Sequence, residues 1–395
     1  MNRLILILVL LFAVGCEAEL AELRERYRPG SPREAYLDGL ETTGISESAV
    51  ASEWILQGED VLDTALTPTL PYREEGNLYP TEIMALGYRI SLERGQQLIV
   101  EASSREGFDL FVDLYEVRAD MGLPRRRIAS ADSTSVLRHD ITRTQNYFLR
   151  VQPEILSQGH FQVSIRTDAS IVFPVSGKDS GAVQSFWGDA REGGRRDHHG
   201  IDIFAPRGTP VVAVREGRIS STRVGGLGGK TVWLRDNRGN NFYYAHLDAQ
   251  LVERGQRVVP GDTLGLVGNT GNARTTPPHL HFGIYANGPH NPWPFVYSPT
   301  TRPSPIRVDE RHFGTWREAL ASRITLLEQP SSRSGVLARF DEPVELHVIG
   351  GTSSYYHVRL PDRREGYVAA GDVNLSVAQN RIPSGRARPG ATIGS

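Results

Sequence analysis

The sequence predicts a mainly β, multidomain chain, and three observations carry that reading. Its 395 residues allow roughly two to four domains at about 100–200 residues each. Several stretches alternate apolar and polar side chains with a period of two, the signature of half-buried strands. The long segment 171–297 is rich in Gly, Pro and short apolar runs and has no helical period of useful length.

Taken from the N-terminus, residues 1–15 read as a secretion signal. One basic residue, Arg3, precedes an unbroken apolar run from Leu4 to Val14, and Gly15-Cys16 follows before acidic Glu17. Eleven apolar residues are too few to cross a bilayer as a helix, but they suit the core of a cleaved signal. Cys16 is the only cysteine, so no intramolecular disulfide can form. Residues 16–79 read as a tether and helical segment. Ser31-Pro32-Arg33-Glu34 is a helix start with a capping box, Gly44 is a stop, and a second helical pattern runs from Ser46 to about Leu62.

The period then changes. Tyr88–Leu92, Leu98–Ala102, Leu110–Tyr115, Tyr147–Val151 and Phe161–Ile165 alternate between turn-forming clusters, which predicts an antiparallel β-sandwich over 80–167. Within 171–297 the candidate strands are Pro210–Val214, Thr231–Arg235, Asn241–Ala245, Thr263–Val267 and Leu280–Tyr285. A Pro-rich linker covers 298–319. A short helical patch at about Trp316–Ser322 opens a further strand series, with Val344–Val348, Tyr356–Leu360 and Gly366–Val368 as its markers, in a small domain over 320–377. The last stretch, 378–395, has the composition of a disordered tail.

Charge excludes one class of partner. There are 44 basic and 46 acidic residues, a net charge of −2, so the basic excess of a nucleic-acid binder is missing. The basic residues are nearly all Arg and are scattered along the chain.

Histidine placement carries the chemistry. Five of the eleven histidines lie between positions 198 and 281. His198 and Asp202 form H-x-x-x-D, His246 stands in Tyr244-Ala245-His246, and His279 and His281 form H-x-H. Residues two apart on a strand share a face, so His279 and His281 point one way while Leu280 and Phe282 point toward a core. Two imidazoles on a rigid strand, with a His and an Asp from an earlier loop, can supply a metal centre. A catalytic zinc site needs three protein ligands with the fourth position open to water. Four histidines and one carboxylate therefore suit three ligands plus two catalytic imidazoles.

The quoted text resembles known families. "HHGIDIFAPRGTPVVAV", "YYAHL", "GDTLGLVGNTGNA" and "PPHLHFGIY" resemble the lysostaphin-type, or LytM-type, zinc endopeptidases, which cut peptide bonds in bacterial peptidoglycan. The resemblance covers about 125 residues, near a third of the chain. It implies a β-rich groove with one zinc ion on its floor, His198, Asp202 and His281 as ligands, and His246 and His279 as the catalytic pair. His199 falls on a variable position and is excluded. In such a site zinc lowers the pKa of a water molecule from 15.7 toward about 7. One catalytic imidazole takes a proton and the other stabilises the oxyanion, and sequence does not distinguish the two.

Other segments carry weaker resemblances. Ala13-Val14-Gly15-Cys16 resembles a bacterial lipoprotein signal, which implies lipidation of Cys16, attachment to a membrane surface and a place in the cell envelope, periplasmic or extracellular. "GYRISLERGQQLIVEA", "FDLFVDLYE", "NYFLRVQPE" and "GHFQVSIRT" resemble jelly-roll modules attached to secreted bacterial peptidases. The region 320–377 resembles a small bacterial SH3-like barrel.

The expected function is zinc-dependent hydrolysis of peptidoglycan stem or bridge peptides, with a preference for directly cross-linked D,D stems. The alternative is a catalytically silent wall adaptor or amidase activator. Around the motifs, Gly200 is expected to permit a tight loop, Gly208–Pro210 and Gly261-Asp262 to form turns, and Asn269–Asn272 to rim the groove. Phe186 and Trp187 are read as core in the first place, with lining of the groove as the alternative, and His290 as structural. His139, His160, His312, His347 and His357 are read as ordinary surface or core residues.

Overall fold

The computed structural model describes residues 30–118, 123–132, 135–191, 193–299, 301–320 and 324–377. The expected signal over 1–15, Cys16 and the tail over 378–395 lie outside them. Among the described residues no helix is long and apolar enough to cross a membrane.

Ser31 caps the first helix, α1 (Pro32–Thr42). Its hydroxyl accepts from the Glu34 N–H, and the Glu34 carboxylate accepts from the Ser31 N–H. The reciprocal cap satisfies two N–H groups that the helix cannot pair itself. Ser48 caps α2 (Ala49–Asp63) from one side only, its hydroxyl accepting from the Ala51 N–H. Neither helix is a free tether arm. Buried Trp54 donates its indole N–H to the Pro153 carbonyl at 2.7 Å. Buried Arg33 lies over the Trp54 ring and donates to Gln152 at 2.7 Å. The helices thus dock on a sheet through buried polar contacts.

That sheet belongs to a sandwich of β1 (Tyr72–Leu78), β2 (Leu86–Leu92), β3 (Gln96–Ser104), β4 (Leu110–Arg118), β5 (Leu123–Ser130), β6 (Val136–Asp140), β7 (Gln145–Pro153) and β8 (Gly159–Ala169). One layer has the order β2-β7-β4-β5 and the other contains β1-β8-β3-β6. The alternation is literal: Tyr88, Ile90 and Leu92 are buried while Arg89 and Ser91 are exposed. Leu98, Val100, Leu114, Leu149, Val163 and Ile165 fill the space between the layers. The first strand begins at Tyr72, ahead of the expected boundary at 80.

The chain then builds a second β unit. Its strands are β9 (Val183–Ser185), β10 (Ala190–Arg191), β11 (Arg196–Asp197), β12 (Ile201–Phe204), β13 (Pro210–Val212), β14 (Gly217–Val224), β15 (Lys230–Asp236), β16 (Asn241–Leu247), β17 (Ala249–Gln250), β18 (Arg257–Val258), β19 (Thr263–Leu266), β20 (His279–Tyr285) and β21 (Pro289–His290). A short helix, α3 (Trp293–Val296), ends it. The main sheet runs β18-β14-β15-β16-β20-β12-β9, and a small sheet runs β13-β19-β17. Ile201, Ile203, Leu234, Phe242, Leu264, Leu280 and Phe282 form its core. Gly208 and Gly261 take the positive φ values, 86° and 94°, that turns require. Asp140 of the sandwich fixes this unit by pairing with Arg215 at 2.9 Å and Arg238 at 2.7 Å.

The C-terminal strands are β22 (Thr315–Leu320), β23 (Ile324–Leu327), β24 (Val336–Phe340), β25 (Val344–Thr352), β26 (Tyr355–Arg359), β27 (Glu365–Ala369) and β28 (Asn374–Val377). Two expectations are corrected here. Of the Trp316–Ser322 patch, the described part Trp316–Leu320 is strand, not helix: pairing with β25 and β28 overrides the helical propensity of Arg-Glu-Ala-Leu. The region is also not a closed barrel on its own. Its β25 pairs with β1 through Glu75↔Gly351 and Gly76↔Gly350, so one sheet runs β24-β23-β27-β26-β25-β1-β8-β3-β6. A Cβ on Gly76 would meet the Ile349 carbonyl at 2.4 Å and one on Gly350 the Glu75 carbonyl at 2.4 Å, so only glycine allows this seam. His357 is buried beside this seam, where its Nδ1 meets the wholly buried carboxylate of Glu74 at 2.6 Å.

Candidate metal centre and catalytic groove

Strand register assembles the site. Asp202 on β12 stands directly opposite His281 on β20, and Phe204 stands opposite His279. Leu280 and Phe282 are fully buried on the other face, so both histidines of H-x-H face the groove, as the alternation predicts. The two-residue offset separates their surroundings. His281 meets a carboxylate, whereas His279 stacks on the Phe204 ring with centroids 5.0 Å apart.

His198 reaches the same point from the loop after the β10–β11 hairpin. Its Nδ1 donates to the Phe186 carbonyl at 2.8 Å, which leaves Nε2 as a lone pair. That Nε2 lies 3.0 Å from Asp202 Oδ1 and 2.9 Å from His281 Nδ1, and the latter two atoms are 3.0 Å apart. Three electron-rich atoms thus form a nearly equilateral triangle. Zinc bound at about 2.0–2.2 Å with tetrahedral angles separates its ligands by about 3.3–3.6 Å, roughly half an ångström wider than this triangle. The donor set therefore fits a divalent cation. It is the one such group of three among the described residues.

Electrostatics agree. Burial opposes ionisation of Asp202, but its contacts with His198 and His281 outweigh burial and hold the carboxyl well below the usual range. Its other oxygen, Oδ2, accepts from Arg191 at 2.7 Å, which leaves Oδ1 alone to face the imidazoles. Burial is also the main cause holding His281 below its ordinary value. Gly200 plays a different part from the one expected. Its φ is not in the left-handed region; instead a Cβ there would meet His281 Cε1 and the Phe282 carbonyl, each at 2.6 Å. Glycine is needed so that the His281 ring can pack where it does.

His246 and His279 stand beside this triangle, with ring centroids 5.1 Å apart. Their Nδ1 atoms donate to the carbonyls of Thr270 at 2.8 Å and Pro277 at 2.9 Å. Each ring is thereby fixed as the tautomer whose Nε2 can accept a proton. Burial, and then the neighbouring His281 and His279 rings, push His246 down to about 4. The His246 backbone has φ 63°, a conformation costing about 1–3 kcal/mol in a non-glycine residue. Hydrogen bonds from its N–H to Gly228 and from Nδ1 to Thr270 hold it there.

The groove over these residues has a volume of about 580 Å³, and its walls come from residues 184–285 alone. Neither the sandwich nor the C-terminal strands line it. His199 lies on its wall, exposed, with its ring stacked on Trp187 at 5.4 Å, and stays outside the triangle as expected. Phe186 is not core: it is 41% exposed and packs edge-on to Trp293. Asn272 lines the groove from the expected rim loop. His290 is structural, held by Arg94 and the Ala286 carbonyl. Sequence reasoning passed over Arg191 and the three carbonyls that orient the imidazoles. Nothing in the identities of Phe186, Thr270 or Pro277 marks their carbonyls, because the backbone group is common to all residues.

Residues 196–292 match the model of Peptidase family M23, and the match encloses all five site residues. The chain is 38% identical over 155 residues to the L-Ala–D-Glu endopeptidase of Bacillus subtilis, covering 37% of this chain and 44% of that protein. It is 39% identical over 93 residues to the peptidoglycan DD-endopeptidase ShyC of Vibrio cholerae, covering 24% and 21%. It is 46% identical over 99 residues to the DD-carboxypeptidase/endopeptidase Mpg of Neisseria meningitidis, covering 25% and 22%. Among solved structures, the catalytic domain of lysostaphin from Staphylococcus simulans is similar at 32% identity and a TM-score of 0.27, covering 29% of this chain and 90% of that one. The chain thus spans less than half the length of these curated relatives.

Proposed function

We propose that this protein is a zinc-dependent endopeptidase that hydrolyses peptides of bacterial peptidoglycan. The observation that carries the reading is the convergence of His198, Asp202 and His281 to within 3.0 Å beside a second pair of imidazoles in one open groove. His198 Nε2, Asp202 Oδ1 and His281 Nδ1 would hold the ion, which when bound supplies Lewis-acid polarisation and lowers the pKa of water.

The remaining chemistry falls to the chain's own groups. His246 is kept neutral by burial, so at neutral pH it accepts the proton of the attacking water. The water oxygen adds to the carbonyl carbon, His279 carrying a proton on Nε2 donates a hydrogen bond to the oxygen that gains charge, the C–N bond breaks, and the amine leaves with the proton taken up by His246. The carbonyls of Thr270 and Pro277 hold both rings by Nδ1–H, which leaves each Nε2 to take up and return a proton. Arg191 keeps Asp202 turned so that one oxygen serves the ion.

The named relatives act on different bonds, so their similarity leaves the bond open. We favour directly cross-linked D,D stems, and a place in the cell envelope through a lipid on Cys16. The deciding experiment is mass spectrometry of products from defined muropeptides, with the zinc-loaded full chain and with a chelator. Chelator-sensitive cleavage of a peptide bond is expected. Intact muropeptides with zinc present would overturn the proposal.

A further inference from the structure

The open face of the main sheet continues past the groove, and its composition is unusual. One straight row of cross-strand partners runs Tyr285↔Asn241↔Arg235↔Arg218↔Arg257, over β20, β16, β15, β14 and β18. Tyr285 lines the groove. Leu234, Ile219 and Val258, the sequence neighbours of the three arginines, are buried in the core, so the arginines share the solvent face. All three are exposed. The arginines that look scattered in the sequence are thus brought into register by the fold.

Like charges directly opposite on neighbouring strands repel, at about 4.8 Å per strand step. Among the described residues no carboxylate forms an ion pair with any of the three; Arg218 reaches only the carbonyl of Gly255. An adjacent aromatic path joins this row to the metal centre. Tyr243 meets the His281 ring at 5.8 Å, and Trp233 packs with tilted rings against Tyr243 at 4.5 Å and Tyr285 at 5.2 Å. A ligand leaving the groove along this face would cross half-buried aromatic rings and then a line of three guanidinium groups.

We infer that the row is a substrate subsite for a peptide bearing free carboxylates, which makes the substrate an acidic stem peptide rather than a neutral oligoglycine bridge. This rests on the endopeptidase reading and deepens it. Two features select the occupant: charge complementarity, and continuity with the groove. Arg235 lies two strand steps, about 10 Å, from β20, and Arg257 four steps, about 19 Å. The row also sits four residues, about 13 Å, along β20 from His281, so Arg235 is about 16 Å and Arg257 about 23 Å from that ligand, and at about 3.3–3.6 Å per extended residue a peptide reaches them some five to seven residues beyond the bond to be cut.

The test compares two muropeptides of one sequence, one with free stem carboxylates and one with those carboxyls amidated, as substrates of the zinc-loaded full chain. Wild type is expected to favour the free acid in kcat/KM through a lower KM, with the preference shrinking as salt rises. Combining Arg218→Gln, Arg235→Gln and Arg257→Gln is expected to reduce the ratio about twofold to fivefold per arginine. Arg333→Gln, in the turn between β23 and β24, serves as the control outside the row and leaves the ratio unchanged. Equal cleavage of both peptides by wild type, or an unchanged ratio in the triple variant, overturns the inference. Cleavage of neither peptide instead counts against the endopeptidase reading. Calorimetric binding of the same pair to His246→Ala protein then still reports the preference. Arginine-dependent binding to phosphatidylglycerol vesicles, with no preference between the peptides, also overturns it and assigns the row to a lipid surface.

Discussion

Replacing Gly200 with alanine tests the packing that builds the metal site. The new methyl would sit 2.6 Å from His281 Cε1, 2.8 Å from His281 Nε2 and 2.6 Å from the Phe282 carbonyl. Ordinary contact begins near 3.5 Å, so something must move by about 0.9 Å. The Phe282 carbonyl belongs to the β12–β20 ladder, where Ile201 pairs with Phe282, and it yields least. The imidazole ring yields instead. Metal sites tolerate about ±0.2 Å in ligand distance, so a shift of this size removes His281 from the set. Gly200→Ala is therefore expected to lose zinc and turnover together, at an overpacking cost of about 1–3 kcal/mol and with the fold retained. Metal analysis after dialysis, alongside thermal unfolding, reads both quantities. Stoichiometric zinc with full turnover and an unchanged midpoint would refute the reasoning. Gly39→Ala in α1 is the counter-case: a Cβ there meets nothing within 4 Å, and the substitution should raise stability by about 0.5–1 kcal/mol.

Other expectations follow from the same geometry. His281→Ala should abolish zinc binding and activity together, whereas His246→Ala should keep zinc and lose turnover; loss of zinc in the second would show its assigned role to be wrong. The seam between β1 and the C-terminal strands should weaken in mild alkali. Burial opposes protonation of His357, but Glu74 and Glu365 outweigh it and raise the imidazole from 6.5 to about 9. A raised folded-state value means the contribution is complete below pH 6.5 and lost as pH rises through 9, a decline of up to about 3 kcal/mol. Thermal midpoints measured from pH 6 to 10 should fall in wild type, and a flat profile would exclude the charged pair. Cys16→Ala should release the protein from membranes, and unchanged fractionation would point to a different anchor.

The sequence by itself determined the chemical inventory and much of the local structure. Ser31 and Glu34 announced a helix cap that is present atom for atom, because capping is decided within four residues. The spacing of His279 and His281 put both rings on one face, because strand geometry alternates whatever the fold. The spacing could not say which of the two meets Asp202. That was decided by the register of β12 on β20, a long-range pairing that also places Phe204 against His279. Tertiary structure likewise supplied the carbonyls of Phe186, Thr270 and Pro277 that choose each tautomer, since a backbone oxygen carries no residue identity. It turned a helix-prone Trp316–Leu320 into a strand and joined the C-terminal strands to β1, because burying apolar faces and completing a sheet outweigh the few tenths of a kcal/mol per residue in local propensity. It also aligned Arg218, Arg235 and Arg257, which are far apart in sequence and become neighbours only when three strands pair.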